Sequence, residues 1–409
     1  LVLIAALLIA AIGTLLGAAG IALSLLSGGP DVITMVTFSV SVLVLSLGFG
    51  AAAAWHAWRA TQGYPSAAFR PRMPWLLLPL FLLAMVLGQA VLTYSILPTL
   101  VFPLFHIAAS ALPPLLILAV VGHALRGIST WRQVVLQASA GVLLAAPLAM
   151  LIETVAILLI AIAAVTGTAL QPGGQELLIK AMSYLEDPAW LQDPGTLAST
   201  LMTPVVLAAV VAIVAGLIPL IEEAIKTIGV GLMAKRKLSL PEAVLWGLAA
   251  GAGFSIAEGL LNSAGALGTW LPTVLLRVGT TLLHCLTGAL MGLAWYQLVT
   301  QRRWARGLSW YLASVAIHGL WNGLAAVMTL LSITAIGSGT DSDGLLAATL
   351  GTVAIFLLLV LLALGMIGGL AGMTAYARRQ IPATEMLSSV QEMTTAPEAT
   401  FPANPESEA

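Results

Sequence analysis

Residues 199–237 read STLMTPVVLAAVVAIVAGLIPLIEEAIKTIGVGLMAKRK. The apolar part of this run is long enough to cross a bilayer, because about 20 apolar residues rising 1.5 Å each cover the hydrocarbon core. It ends in Lys235, Arg236 and Lys237, the kind of basic flank that stays on the cytoplasmic side. It also carries Glu222, Glu223 and Lys226 well inside the run. An ionisable side chain at that depth costs roughly 3 kcal/mol on insertion scales, so each one is a functional residue by default.

The rest of the chain has the same character. Of 409 residues 60% are hydrophobic and 8% charged, with a mean hydropathy of +1.03. A soluble domain carries about a quarter of its residues as Asp, Glu, Lys or Arg, so the bilayer has to be the solvent here. Apolar runs place spans near 2–27, 32–55, 74–97, 100–124, 134–168, 199–234, 241–266, 272–299, 308–334 and 344–376. The expected fold is an all-α polytopic transmembrane helix bundle of about ten spans. Leu1 to Ser27 is too long for a signal-peptide core and reads as a spanning helix. The chain opens at Leu1 rather than a methionine, as expected if sequence precedes it. The fifth and sixth runs are overlong, with Pro147 a candidate break in the fifth.

Basic residues set the orientation. Arg59, Arg70 and Arg72 follow the second span, and Arg126 and Arg132 the fourth. The 235–237 cluster follows the sixth, Arg302, Arg303 and Arg306 the eighth, and Arg378 and Arg379 the tenth. Counted as ten spans, all of these fall on one side. The opposite loops hold Asp31, Glu176, Glu186, Asp187, Asp193, Asp341 and Asp343, with Lys180 their basic member. The expected topology is N-in and C-in. The chain then divides into residues 1–198 (five spans and an external loop at 170–198, with a short amphipathic helix around 175–186), 199–334 (the four charged spans), 335–379 (the tenth span) and a disordered cytoplasmic tail at 380–409.

Some function classes are excluded. The single cysteine, Cys285, rules out a disulfide framework or a cysteine-rich metal cluster. There is no Gly-rich phosphate loop to drive a pump with nucleotide, and no basic–aromatic surface for nucleic acid.

Outside the interfacial zones the ionisable residues are His106, Glu153, Glu222, Glu223, Lys226, Glu258, Arg277, His284 and His318. Most lie on four consecutive spans. Glu222 and Lys226 are four apart and share a helix face, as do Phe254 and Glu258, His284 and Gly288, and His318 and Asn322. From the helical rise, Glu223 and Lys226 sit ~14–18 Å from their basic flank, His318 ~17 Å from Arg306, and His284 ~18 Å from the other face. These depths converge near mid-membrane. Gly247 and Gly251, Gly288 and Gly292, and Gly319 and Gly323 are small-xxx-small pairs on three of these spans. They read as ordinary close packing of membrane helices.

Peptide hydrolysis needs a base for water, donors for an oxyanion and a proton for the leaving amine. Three glutamates, two histidines, a lysine and an asparagine supply them. Glu258, His284 and His318 also make a two-His, one-carboxylate set for a divalent metal such as zinc, with an open position for water. The helical His-Glu-x-x-His signature is absent, so such ligands would come from separate helices.

Glu222-Glu223-x-x-Lys226, Phe254-x-x-x-Glu258, His284-x-x-x-Gly288 and His318-x-x-x-Asn322, in this order and each on its own span, resemble the PrsW family of intramembrane proteases. These are distant relatives of the CAAX prenyl endopeptidases and bacteriocin-processing membrane enzymes. The resemblance covers roughly residues 215–330. It implies cleavage of membrane-anchored proteins, such as the first cut of an anti-sigma factor, in a prokaryotic plasma membrane. By analogy Glu222 or Glu223 activates water, and His318 and Asn322 bind the oxyanion. The prenyl-endopeptidase relatives carry His where Glu258 stands, so the role of that His does not transfer. Lys226 would pair with and position one of the glutamates.

Blander readings stand beside these. Lys226 with Glu222 would serve as a neutralising pair alone, His284 as an interhelical donor, Asn322 as helix glue and His106 as a structural histidine. Cys285 points about 100° away from His284 around the helix and is not expected to be a nucleophile. Glu153 and Arg277 have no assigned role, and pairing with each other is one expectation for them; snorkelling of Arg277 is another. Two other function classes compete: a proton- or ion-coupled transporter, against which the lack of an inverted repeat speaks, and a non-catalytic membrane scaffold, against which the intact glutamate pair speaks. The sequence sets neither the substrate, the scissile bond nor the oligomeric state.

Overall fold

The structure, a computed structural model, describes residues 2–125, 127–176, 179, 182, 193–234, 238–337 and 342–381. Ten helices among them are long and apolar enough to cross a membrane: Val2–Ser27, Val32–Thr61, Pro74–Tyr94, Pro98–Ala124, Trp131–Ala169, Pro204–Met233, Leu240–Ser263, Leu267–Thr300, Trp304–Ala335 and Asp343–Arg379. They are numbered below as spans one to ten. Hydrocarbon offers no partner to a backbone amide, so each segment must satisfy its own by coiling. The result is an all-helical polytopic bundle, as the hydropathy pattern requires. The only β contact among the described residues is the isolated pair of Ala68 with Thr130.

Span two continues to Thr61 rather than stopping near 55, because its last turns carry interfacial anchors. The Arg59 guanidinium lies 5.8 Å from the Trp55 ring and 5.0 Å from the Tyr64 ring. The expected sixth run is interrupted near its start: a short helix, Pro194–Leu201, precedes a new start at Pro204. The short helix expected at 175–186 and the tail from 382 onward lie outside the described residues.

The two overlong spans are bent by π-turns, and each turn is followed at once by a proline. Gly141–Ala145 precedes Pro147, and Ala212–Leu217 precedes Pro219. Proline has no N–H and clashes with the carbonyl four residues earlier, and one extra residue in the turn relieves that clash.

Span seven is the hub, packed against spans four, five and eight. Its contact with span eight is built on the glycine pairs. A Cβ added at Gly247 would fall on the Gly288 carbonyl oxygen, and one at Gly251 on that of His284. Between membrane helices such close approach supplies the van der Waals contact that drives association, since lipid tails are as apolar as leucine. Span seven starts with a capping box in which Ser239 and Glu242 satisfy each other's backbone N–H groups.

His106 is structural, as expected. Trp270 Nε1 donates to its Nδ1 at 3.2 Å, so Nε2 carries the proton and donates to the Leu260 carbonyl at 3.0 Å. Spans four, seven and eight are tied there.

Candidate active site

The site begins at the π-turn of span six. The Ile218 N–H bonds the Ile213 carbonyl, five residues back, and Pro219 has none to offer. The Val214 carbonyl is thereby left without a helical donor, and Asn322 of span nine supplies one through Nδ2 at 3.3 Å. Gly319 lets span nine approach, since a Cβ there would strike the Ala215 carbonyl. These two docking residues follow His318 on span nine and deliver it to the glutamate pair.

On the other side the helix Ile218–Lys226 ends abruptly. Thr227 leaves helical geometry at φ −112 and ψ 24, and Trp295 Nε1 donates to its Oγ1 at 3.0 Å. The break lets Lys226 turn fully into the bundle. Its ammonium uses all three of its N–H bonds, to Glu223 Oε1 at 2.6 Å, His284 Nδ1 at 2.9 Å and Thr287 Oγ1 at 3.0 Å. The Phe254 ring lies 5.4 Å from Nζ. Phe254, the first residue of the Phe254-x-x-x-Glu258 motif, thus packs the cation rather than touching the reacting atoms.

Hydrogen-bond logic fixes the tautomers. Lys226 can only donate, so His284 Nδ1 accepts and Nε2 carries the proton, donated to Glu258 Oε2 at 2.6 Å. Glu223 Oε1 accepts from His318 Nδ1 at 2.7 Å, which leaves the His318 Nε2 lone pair open. That nitrogen lies 3.7 Å from Glu222 Oε2, too far for a direct bond. The His284 and His318 rings meet edge to face at 5.2 Å.

The charges divide unevenly. Lys226 answers Glu223, and Arg277 answers Glu258 across 3.2 Å. Glu222 has no cation of its own, and its Oε2 is buried without a hydrogen-bond partner. A carboxylate left in this state beside an open imidazole nitrogen is a base or ligand awaiting a water, a metal or a substrate.

The structure brings Glu222, Glu223, Lys226, Glu258, His284 and His318 into one connected cluster, and it changes several expected partners. Lys226 pairs with Glu223 at i,i+3 rather than with Glu222 at i,i+4, since both spacings share a face and the break at Thr227 turns the side chain toward Glu223. Arg277 pairs with Glu258 and not with Glu153. Asn322 gives its amide to Val214, not to the space around His318. Donor atoms of Glu222, His284 and His318 lie within 4.8 Å of one another, a trio in which Glu222 stands where Glu258 was expected. Glu258 instead binds His284, Arg277 and, through Oε1, Asn262 Nδ2 at 3.2 Å. Cys285 is a fully buried free thiol. Sequence reasoning missed Arg277 and Thr287 as members. Their spacing from His284, seven back and three on, puts both on its helix face and was the available signal.

Acidic, basic and imidazole groups are buried together inside this helix bundle, the residue types that hydrolysis inside a membrane requires. Residues 189–364 match the family described as PrsW family intramembrane metalloprotease. That segment contains all four motifs and is similar to the PrsW family of intramembrane proteases. No curated protein and no solved structure matches the chain.

Proposed function

We propose that this chain hydrolyses a peptide bond of a membrane-anchored protein, with Glu222 as the base. The supporting observation is the Glu222–His318 gap: two unsatisfied groups 3.7 Å apart and buried, with His318 held in place by Glu223. A water lodged there donates one hydrogen to Glu222 Oε2 and the other to His318 Nε2. Glu222 takes the proton as the water oxygen attacks the carbonyl carbon. It returns that proton to the amine nitrogen as the C–N bond breaks. Glu223 orients His318 through Nδ1, and Lys226 holds Glu223. Of the two cations Lys226 has its donors committed, so Arg277 is the one with N–H groups left for the developing oxyanion.

The donor chemistry also fits a divalent metal such as zinc. Glu222 and His318 present free donors, and Glu223 backs His318 as carboxylates commonly back a ligating imidazole. His284 would be the third ligand, through the ring nitrogen that now bonds Glu258. Glu222, His284 and His318 would hold the ion, which supplies a more acidic water and a polarised carbonyl.

The substrate class is a single-span or otherwise anchored protein, for example an anti-sigma factor. The location is a prokaryotic plasma membrane with both termini cytoplasmic, which the distribution of basic residues supports. The test is co-expression with tagged single-span proteins, comparing wild type with Glu222→Gln and His318→Ala at matched levels. Clipping by wild type alone is expected. Clipping by the variants at the wild-type rate would refute the assignment. Chelation of the purified enzyme should then abolish cleavage, with zinc restoring it; unchanged cleavage would remove the metal.

A further inference from the structure

We propose that Glu153 of span five is a substrate-binding residue: its carboxyl accepts a backbone N–H from the unwound peptide beside the scissile bond. The role rests on the protease reading above.

Glu153 lies outside the matched segment and outside the four motifs. It continues the stripe of Ala145 and Ala149, whose members pack with Ile225, Phe254 and Ala257 of spans six and seven. Spacing of four keeps all three on one face. Span six runs opposite to span five, and span seven runs parallel to it. One turn beyond Ala149 therefore corresponds to stepping from Ile225 back toward Glu222 and from Phe254 on toward Glu258. Glu153 accordingly lies within electrostatic reach of both carboxylates. Its Oε1 is buried and has no hydrogen-bond partner. Among the described residues no ion pair reaches it: Lys226 pairs with Glu223, and Arg277 with Glu258.

A transmembrane substrate reaches the site as a helix and must unwind for attack. Each N–H freed in hydrocarbon costs several kcal/mol unless an acceptor meets it. Glu223 and Glu258 already accept from their own neighbours, and Glu222 is kept for the water. Two further carboxylate oxygens are buried without a partner, Glu223 Oε2 and Glu153 Oε1; Glu223 is fully buried, and the half-buried Glu153 is the one open to an incoming chain. It also stands where cover is thinnest: Pro204–Leu217 of span six contains no buried residue, and Leu151, Val155 and Leu158 of span five are exposed to lipid. A substrate helix can approach from that side without displacing a packed span.

Two measurements test this. Cys285 is buried, so Glu153→Cys introduces an accessible thiol. On a Glu222→Gln background it should form disulfides with a cysteine-scanned substrate only within a few residues of the cut. In kinetics, Glu153→Ala should raise KM about tenfold with a smaller effect on kcat, the loss of one hydrogen bond. Glu153→Gln, which still offers an oxygen, should recover most of that loss. An unchanged KM in Glu153→Ala, or disulfides spread along the substrate, overturns the role. So does a shifted pH profile shared by Gln and Ala variants, which would make Glu153 a charge acting on Glu222. Failure of wild type to cleave any substrate removes the protease reading itself, and this role with it.

Discussion

Replacing Lys226 by methionine probes the cluster most directly. The ammonium is 1% exposed and bonded to Glu223 at 2.6 Å, and Glu223 is fully buried. Removing one partner of such a pair leaves an uncompensated buried charge and costs about 3–5 kcal/mol. The same change strips a donor from His284 Nδ1 and Thr287 Oγ1, adding roughly 1–3 kcal/mol for the buried acceptor left open. The double variant Lys226→Met/Glu223→Gln removes the stranded charge while keeping those secondary losses. It should be more stable than the single variant by at least ~2 kcal/mol despite carrying an extra substitution. Both should be inactive: the single variant removes the cation that holds Glu223, and the double variant also removes the charge that anchors His318. Thermal unfolding of the purified protein in detergent, followed by tryptophan fluorescence, reads the order. A double variant less stable than the single would refute the buried-pair reading and point to Lys226 acting by packing alone.

Other consequences follow from particular contacts. Gly251→Leu places side-chain atoms on the His284 carbonyl and should destabilise by about 1–3 kcal/mol or more, whereas Gly216→Ala, with nothing within 4 Å, should leave the melting temperature unchanged. Asn322→Ala orphans the Val214 carbonyl and should cost about 1–3 kcal/mol. Adding Pro219→Ala, which restores an N–H to the turn, should recover part of it in the same melting assay. His106→Ala should lower stability through the lost Leu260 and Trp270 bonds without altering KM, as steady-state kinetics would show. Maleimide treatment should leave proteolysis intact, since Cys285 is buried; inhibition would place a thiol near the chemistry after all.

What the sequence determined by itself was whatever a bilayer makes local. A span must be apolar for about 20 residues whatever surrounds it, so the number and order of spans are written in the chain. The cost of an ionisable group in hydrocarbon likewise marks Glu222, Glu223, Lys226, Glu258, His284 and His318 from composition alone. Packing decided what each of these residues touches. A π-turn adds a residue and rotates everything after it by about 100°, and it is not legible as hydropathy, although Pro219 hints at it. The break at Thr227 hands Lys226 to Glu223 and leaves Glu222 unpaired. The π-turn exposes the Val214 carbonyl that takes Asn322 away from the chemistry. Arg277 and Glu153 looked equivalent in sequence as isolated charges. Only the faces that spans five, seven and eight turn to one another make the first a partner of Glu258 and leave the second an unmet acceptor. Local solvation energies decide which residues a membrane chain can hold, and helix rotation, set by side-chain packing between spans far apart in sequence, decides which of them meet.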